Sequence, residues 1–174
     1  MKFQFDTISS EKLNELQDNV NQNSKQLDKI VDDIIQPYCK SLDEYVQFIS
    51  DCLGNGEIPP TDGELEDYCI NLSTRIYFAG GLCERLGIRD DIAKAVYKEM
   101  YHTSRASIEK GTVADKDSLA ELNSQEEYII SSAYTRAYKI MKSKIENAQE
   151  VLQSCKKVLS RRMQELELTR ITPN

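Results

Sequence analysis

Apolar residues in this chain return every three or four positions over long stretches, the rhythm of one helix face. Leu13, Leu16, Val20, Asn23, Leu27, Ile30 and Ile34 form a first line, with a polar residue at its centre. Tyr134, Tyr138, Met141, Ile145, Ala148, Leu152, Cys155 and Leu159 form a second, interrupted at Arg162 and resumed at Leu166. Both have the spacing of coiled-coil seams. Ile130, Ala133, Ala137 and Ile140 widen the second stripe, so that helix is expected to meet more than one neighbour. Asn23 at a seam position reads either as a residue that fixes register or as the mark of an exposed helix end.

Punctuation sets the boundaries. After Gly111 there is neither Gly nor Pro until Pro173, so the stretch from Thr112 to Leu168 predicts one very long helix. Thr112 and Asp115 have capping-box spacing, and Asp115 and Asp117 place negative charge at the helix start. At 1.5 Å per residue, about fifty residues reach roughly 75 Å, too long for one compact globule of this size. Upstream, Ser9 or Ser10 is a suitable N-cap, and Pro37 predicts a kink or break in the first helix. Tyr38, Leu42, Tyr45, Ile49 and Leu53 carry the stripe on to Gly54, and Gly54 to Pro60 reads as a loop. Thr61 and Glu64 form a second capping box, followed by Leu65, Cys69, Leu72, Ile76, Ala79 and Leu82 on one face. Gly80-Gly81 interrupts that helix and needs a cause, either a kink or the close approach of another backbone. Gly87 fits a C-terminal cap, with Asp90-Asp91 opening a further helix through Ile92, Ala95, Val96, Met100 and Tyr101. Residues 1–8 suit an irregular arm or short strand, in which Phe3 and Phe5 point the same way.

The expected fold is all-α: a bundle of four or five helices with a very long C-terminal helix and coiled-coil packing. Residues 1–54 form an acidic helical segment and 61–174 a helical core. The seams look too long to bury within one subunit. Leu13, Leu16, Val20, Leu27 and Ile34, with Met141, Ile145, Leu152 and Leu159, are therefore expected to hold a homo-oligomer together.

Charge adds an asymmetry. The chain of 174 residues has a formal net charge of −7. Residues 1–70 hold five lysines, no arginine and fifteen acids, leaving the other 17 basic residues to the rest of the chain. An acidic half thus precedes a mildly basic one, which excludes a histone-like binder but not a local basic surface. On the last helix Arg136, Lys139, Lys142 and Lys144 form one basic group, and Lys156, Lys157, Arg161 and Arg162 another. They read as a solvated face or as a track for a phosphate backbone. Between Lys94 and Arg105, Lys94 and Lys98 alternate with Tyr97 and Tyr101, a mixture that stacks bases and holds phosphates, or simply packs tyrosines beside snorkelling lysines.

Other chemistry is thin. Cys39, Cys52, Cys69, Cys83 and Cys155 are odd in number and widely spaced, with no Cys-x-x-Cys pair, and read as reduced structural thiols of a cytoplasmic protein. His102 is the lone histidine and has no ligand-spaced partners, so no metal or other cofactor is expected. Asp32-Asp33, Asp90-Asp91 and Glu126-Glu127 are adjacent and diverge on a helix, unlike the facing carboxylates of a hydrolytic site. No apolar stretch is long enough to span a membrane, and the polar start does not suit a signal peptide. An enzyme is not expected.

The tyrosine-bearing basic segment, then a short break, then Ala114-Asp115-Lys116-Asp117 opening a helix with late Lys156, Lys157, Arg161 and Arg162 resembles UvsY-like phage recombination mediators over residues 92–170. The resemblance implies single-stranded DNA binding, self-assembly through long helices, and loading of a RecA-like recombinase onto strands coated with a single-strand-binding protein, in the host cytoplasm. Lys94, Lys98, Tyr97, Tyr101, Arg105, Arg136, Lys139, Lys142, Lys156, Lys157, Arg161 and Arg162 are the candidate DNA-binding residues. Two other readings stay open: a phage-encoded inhibitor of a host defence protein that uses the acidic half, and an oligomeric scaffold.

Overall fold

The computed structural model describes residues 10–54 and 59–171. The arm expected around Phe3 and Phe5, and most of the loop between Gly54 and Pro60, lie outside the described residues. Four helices follow one another: α1 (Ser10–Gly54), α2 (Asp62–Ser107), α3 (Val113–Asn123) and α4 (Gln125–Ile171). The protein is an all-α bundle, with no strand among the described residues. Its three long helices are of nearly equal length, 45, 46 and 47 residues.

The helices run up, down and up. Asp62 meets Arg162, Asp90 meets Thr135 and Tyr97 meets Tyr128, so contacts climb α2 as they descend α4. That constant register makes α2 and α4 an antiparallel pair over almost their whole length. α1 lies parallel to α4, tied by Lys144 donating to Asp43 at 2.7 Å. It runs antiparallel to α2, where Arg75 donates to the Ser41 carbonyl at 3.0 Å and stands 4.5 Å over the Tyr45 ring.

Three boundaries differ from the sequence expectation. α1 continues through Pro37, so of the kink or break expected there the break does not occur; one helix side there faces a packed core of Val31, Ile35, Cys39 and Leu42. Burial of that stripe outweighs the roughly 3 kcal/mol an internal proline costs. α2 continues through Gly87, which neither caps nor ends it. A methyl group at Gly87 would stand 3.1 Å from a Tyr138 ring carbon, so this glycine lets α4 come close. The expected helix from Thr112 to Leu168 is two helices, broken at Ser124 without Gly or Pro. The fully buried Ser124 donates its hydroxyl to the Ala120 carbonyl at 2.8 Å and takes φ −110°, ψ 18°. A serine that satisfies the backbone locally turns the chain, and α4 restarts from there. The capping boxes at Thr61–Glu64 and Thr112–Asp115 are both formed.

The seams find their partners largely within one chain. Met141 and Leu152 are buried in the core, and Leu27, Ile34, Ile145 and Leu159 pack against it. A bundle of three equal helices is long enough to cover a long seam, which removes the reason for assigning these six residues to a subunit contact. Leu13, Leu16 and Val20 differ. α4 begins at Gln125, level with Asn23 and Gln26 of α1, so the start of α1 extends past it by about a dozen residues, roughly 20 Å. These three side chains are exposed.

Candidate nucleic-acid groove

Above Leu86 the inner face of α2 changes character: the next buried residue is Asp90. Asp90 is only 3% exposed, and its carboxylate is held by two donors. Lys94 donates to one oxygen at 2.7 Å and Thr135 of α4 donates its hydroxyl to the other at 2.6 Å. The bonded carboxylate in turn holds the Lys94 ammonium above its ordinary pKa, so the lysine stays charged. A buried acid without such partners would be costly; here it fixes Lys94 at the mouth of a cleft.

The cleft is about 520 Å³ and runs between α2 and α4. Lys94, Tyr97 and Lys98 line one wall, and Tyr128, Ser131, Ser132, Thr135, Arg136 and Lys139 the other. Tyr97 and Tyr128 meet across it with ring centroids 5.4 Å apart, and Tyr97 is 6.4 Å from Tyr101 on its own helix. Lys98, Arg136 and Lys139 are exposed and form no ion pair among the described residues. A second cleft of about 550 Å³ shares Tyr128, Ser132 and Arg136 and continues toward Asn23, Gln26, Leu27 and Ile30 of α1. The two form one open channel with Ser131 buried at its base and the Tyr97 and Tyr128 rings and the cations nearer its surface.

The other candidate residues fall elsewhere. Tyr101 and Arg105 both donate to the Asp117 carboxylate of α3, at the upper edge of the channel. The guanidinium holds Asp117 below the usual carboxylate range, while burial, and then the Asp117 charge, pushes the Tyr101 phenol up. Lys142 lies 4.9 Å over the Tyr138 ring, lower on α4. Lys156, Lys157, Arg161 and Arg162 belong to the opposite end of the bundle, about 30 Å along α4 from Arg136. There Arg162 donates to the Pro60 carbonyl at 2.6 Å and to Asp62 at 3.1 Å, and Arg161 pairs with Glu165 at 3.0 Å. Arg162 is thereby a structural clamp between α4 and the start of α2, and the basic positions do not form a single track.

Sequence reasoning missed Tyr128, Ser131, Ser132 and Thr135. Their spacing of three and four residues was a legible signal, a hydroxyl stripe beside the apolar one. Asn23 and Gln26 carry no such signal, since only the parallel packing of α1 on α4 brings them to the channel.

The cysteines are all free thiols. Burial, reinforced by Asp43, pushes the Cys39 thiol up to about 11, and burial also raises Cys69, Cys83 and Cys155. Protonated thiols are poor nucleophiles and poor metal ligands. His102 is exposed and sets its ring edgewise to Tyr101 at 5.4 Å. Among the described residues no three of His, Cys, Asp or Glu are grouped to hold a metal, and no helix is long and apolar enough to cross a membrane. Comparison with protein-family models, with curated proteins and with solved structures finds no match to this chain.

Proposed function

We propose that this protein is a non-enzymatic accessory protein of phage recombination that binds single-stranded DNA in the channel between α2 and α4 and assists the loading of a RecA-like recombinase. One observation carries the DNA part: the Tyr97 and Tyr128 rings meet, tilted by 60°, between Lys94 on one wall and Arg136 and Lys139 on the other. Rings offer stacking surfaces that every base shares, and cations follow the phosphates, so weak to moderate binding is expected, with little sequence preference and falling as salt rises. A net charge of −7 does not by itself oppose this, because Lys98, Arg136 and Lys139 make a local basic surface. The loading role rests on the resemblance to UvsY-like mediators.

Fluorescence anisotropy with a labelled single-stranded oligonucleotide at about 50 mM salt tests the DNA reading; absence of binding at micromolar protein overturns it. A second reading then takes its place. The exposed start of α1 combines Leu13, Leu16 and Val20 with Glu15 and Asp18, an acidic amphipathic surface suited to a basic protein partner.

A further inference from the structure

Lys94, Lys98, Tyr101 and Arg105 follow one another on α2 at four, three and four residues, so they form one line along the helix. The channel takes in the lower half of that line, Lys94 and Lys98. Arg105 stands about 10 Å beyond Lys98 along the helix axis and is already engaged. Tyr101 donates its hydroxyl to the Asp117 carboxylate at 3.2 Å, and Arg105 donates to the same oxygen. Glu121 lies one turn along α3 from Asp117, on the same face. Its charge adds to the burial and the Asp117 charge that push the Tyr101 phenol up. α3 thus lays two carboxylates over a phenol and a guanidinium that continue the channel's own line.

Burial contributes little to α3. Of its described residues Ala120 alone is buried. Val113 is 67% exposed, Leu119 45% and Leu122 66%. Its start is held by its own capping box, with the Thr112 N–H donating to Asp115 at 2.9 Å, so the helix does not need α2 to begin. Its hydrogen bonds to α2 are made by polar side chains: Asp117 accepts from Tyr101 and Arg105, and Asn123 donates to the Ser104 hydroxyl at 2.9 Å. The Arg105 and Asp117 side chains are 42% and 38% exposed, and an ion pair so open to water is weakly held. A phosphate oxygen accepts the same two hydrogen bonds as the carboxylate and suits a guanidinium equally well.

We infer, resting on the reading of the channel as a single-strand site, that α3 is a built-in competitor for that site: Asp117 holds the place of a strand phosphate on Tyr101 and Arg105, and a bound strand displaces it. With Asp117 in place the line of free cations ends at Lys98. Without it the line runs on to Arg105, and the Tyr101 ring, 6.4 Å from Tyr97, is released to extend the stacking surface. The acidic face of α3 therefore limits how much of α2 a strand can grip.

Anisotropy of a labelled single-stranded oligonucleotide at about 50 mM salt, with the full chain, tests the inference. Asp117→Asn keeps the side chain's shape and removes its charge. It should bind about threefold tighter than the natural chain, with the slope of log K against log salt steeper by about 0.7, one further phosphate contact. Glu109→Gln removes one charge from the same end of the bundle without touching Arg105, and should do neither. Arg105→Ala in the Asp117→Asn chain should cancel both gains. Adding the oligonucleotide to the natural chain should also speed amide exchange in residues 113–123. An Asp117→Asn chain that binds no tighter than Glu109→Gln overturns the competitor and leaves the channel reading standing. So does α3 exchange that a bound strand slows or leaves unchanged. Binding by neither the natural nor the Asp117→Asn chain overturns both.

Discussion

The two ends of the bundle are built from the same three helices and differ in what fills them. In the lower end, from Leu65 to Leu86 of α2, the space between helices holds Leu65, Leu72, Cys83 and Leu86 with Ile49, Met141, Ala148 and Cys155. In the upper end, the buried groups of α2 and of the start of α4 are Asp90, Ser131 and Ala133, with Ser124 at the turn before α4. The lower end is apolar inside, and the cleft of about 500 Å³ on its surface, between Ser73, Ile76 and Tyr77 of α2 and Gln149 to Gln153 of α4, carries no cation. The upper end keeps Val31 and Ile35 of α1 and Ala133 of α4 buried, but between α2 and α4 it opens a channel lined with rings, hydroxyls and cations. Apolar burial is the main source of stability, so the lower end holds the bundle together and leaves the upper end free to carry a site.

That contrast predicts unequal responses to substitution. Leu72→Ala removes a fully buried side chain from the lower end and should cost about 2–5 kcal/mol. Leu152→Asp should likewise unfold the chain, where a purely intersubunit seam would only dissociate. Denaturant titration followed by circular dichroism measures both. A cost below about 1 kcal/mol for Leu72→Ala would mean that the lower end is not the main source of stability.

The upper end should show smaller losses of stability and larger losses of binding. Asp90→Ala leaves Lys94 and Thr135 without their acceptor, at about 1–3 kcal/mol, and frees Lys94 from its fixed position. Tyr128→Ala should lose about 1–3 kcal/mol of single-strand affinity if one base stacks there. Lys98→Ala and Arg136→Ala together should flatten the slope of log K against log salt by about 1.4, at roughly 0.7 per phosphate contact. Both cations are exposed and unpaired among the described residues, so their removal should leave stability within about 0.5 kcal/mol. Binding that survives all of these changes would take the channel out of the reading.

Acid should loosen α3 before the rest. Asp117 and Asp115 both have folded pKa values below their ordinary ones, held down by Arg105 and by the Thr112 backbone N–H. A depressed carboxylate contributes stability above its unfolded pKa, about 3.9, and loses it as pH falls through the folded value. Amide exchange in residues 113–123 should therefore rise below about pH 4, ahead of exchange in the lower end. If α3 exchange did not change between neutral pH and pH 3, neither Asp117 nor the cap would be holding the helix.

The sequence showed helices and their inner faces well, and helix ends poorly, for physical reasons that differ by site. The line from Tyr134 to Leu159 marked the core face of α4 because burial imposes a period. The continuity of α1 through Pro37 was hidden, since it depends on what the proline's neighbours bury. The break at Ser124 was hidden because a serine hydroxyl reaching back to Ala120 leaves no compositional trace. Half of the channel was legible: Lys94, Tyr97 and Lys98 lie on one segment. The other wall, from Tyr128 to Lys139, joins them through the register between α2 and α4, which no local pattern reports. For the same reason Arg162 looked like a binding cation and is a clamp on Asp62.

The smallest expected effect lies at the junction of the two ends, where Gly87 meets Tyr138. An alanine in a helix interior is favoured over glycine by about 1 kcal/mol. At Gly87 the added methyl stands 3.1 Å from the Tyr138 ring, which must shift by a few tenths of an ångström to admit it, and Lys142 lies 4.9 Å over that ring. The two terms oppose each other, so Gly87→Ala alone should change stability by less than about 0.5 kcal/mol. In a Tyr138→Leu background the crowding is gone and the same substitution should stabilise by about 1 kcal/mol. Denaturant titration of the four proteins gives a double-mutant cycle whose coupling reports the contact directly. A coupling of zero would mean that Tyr138 does not close the lower end against Gly87, and the boundary between the packed and open halves would have to be drawn elsewhere.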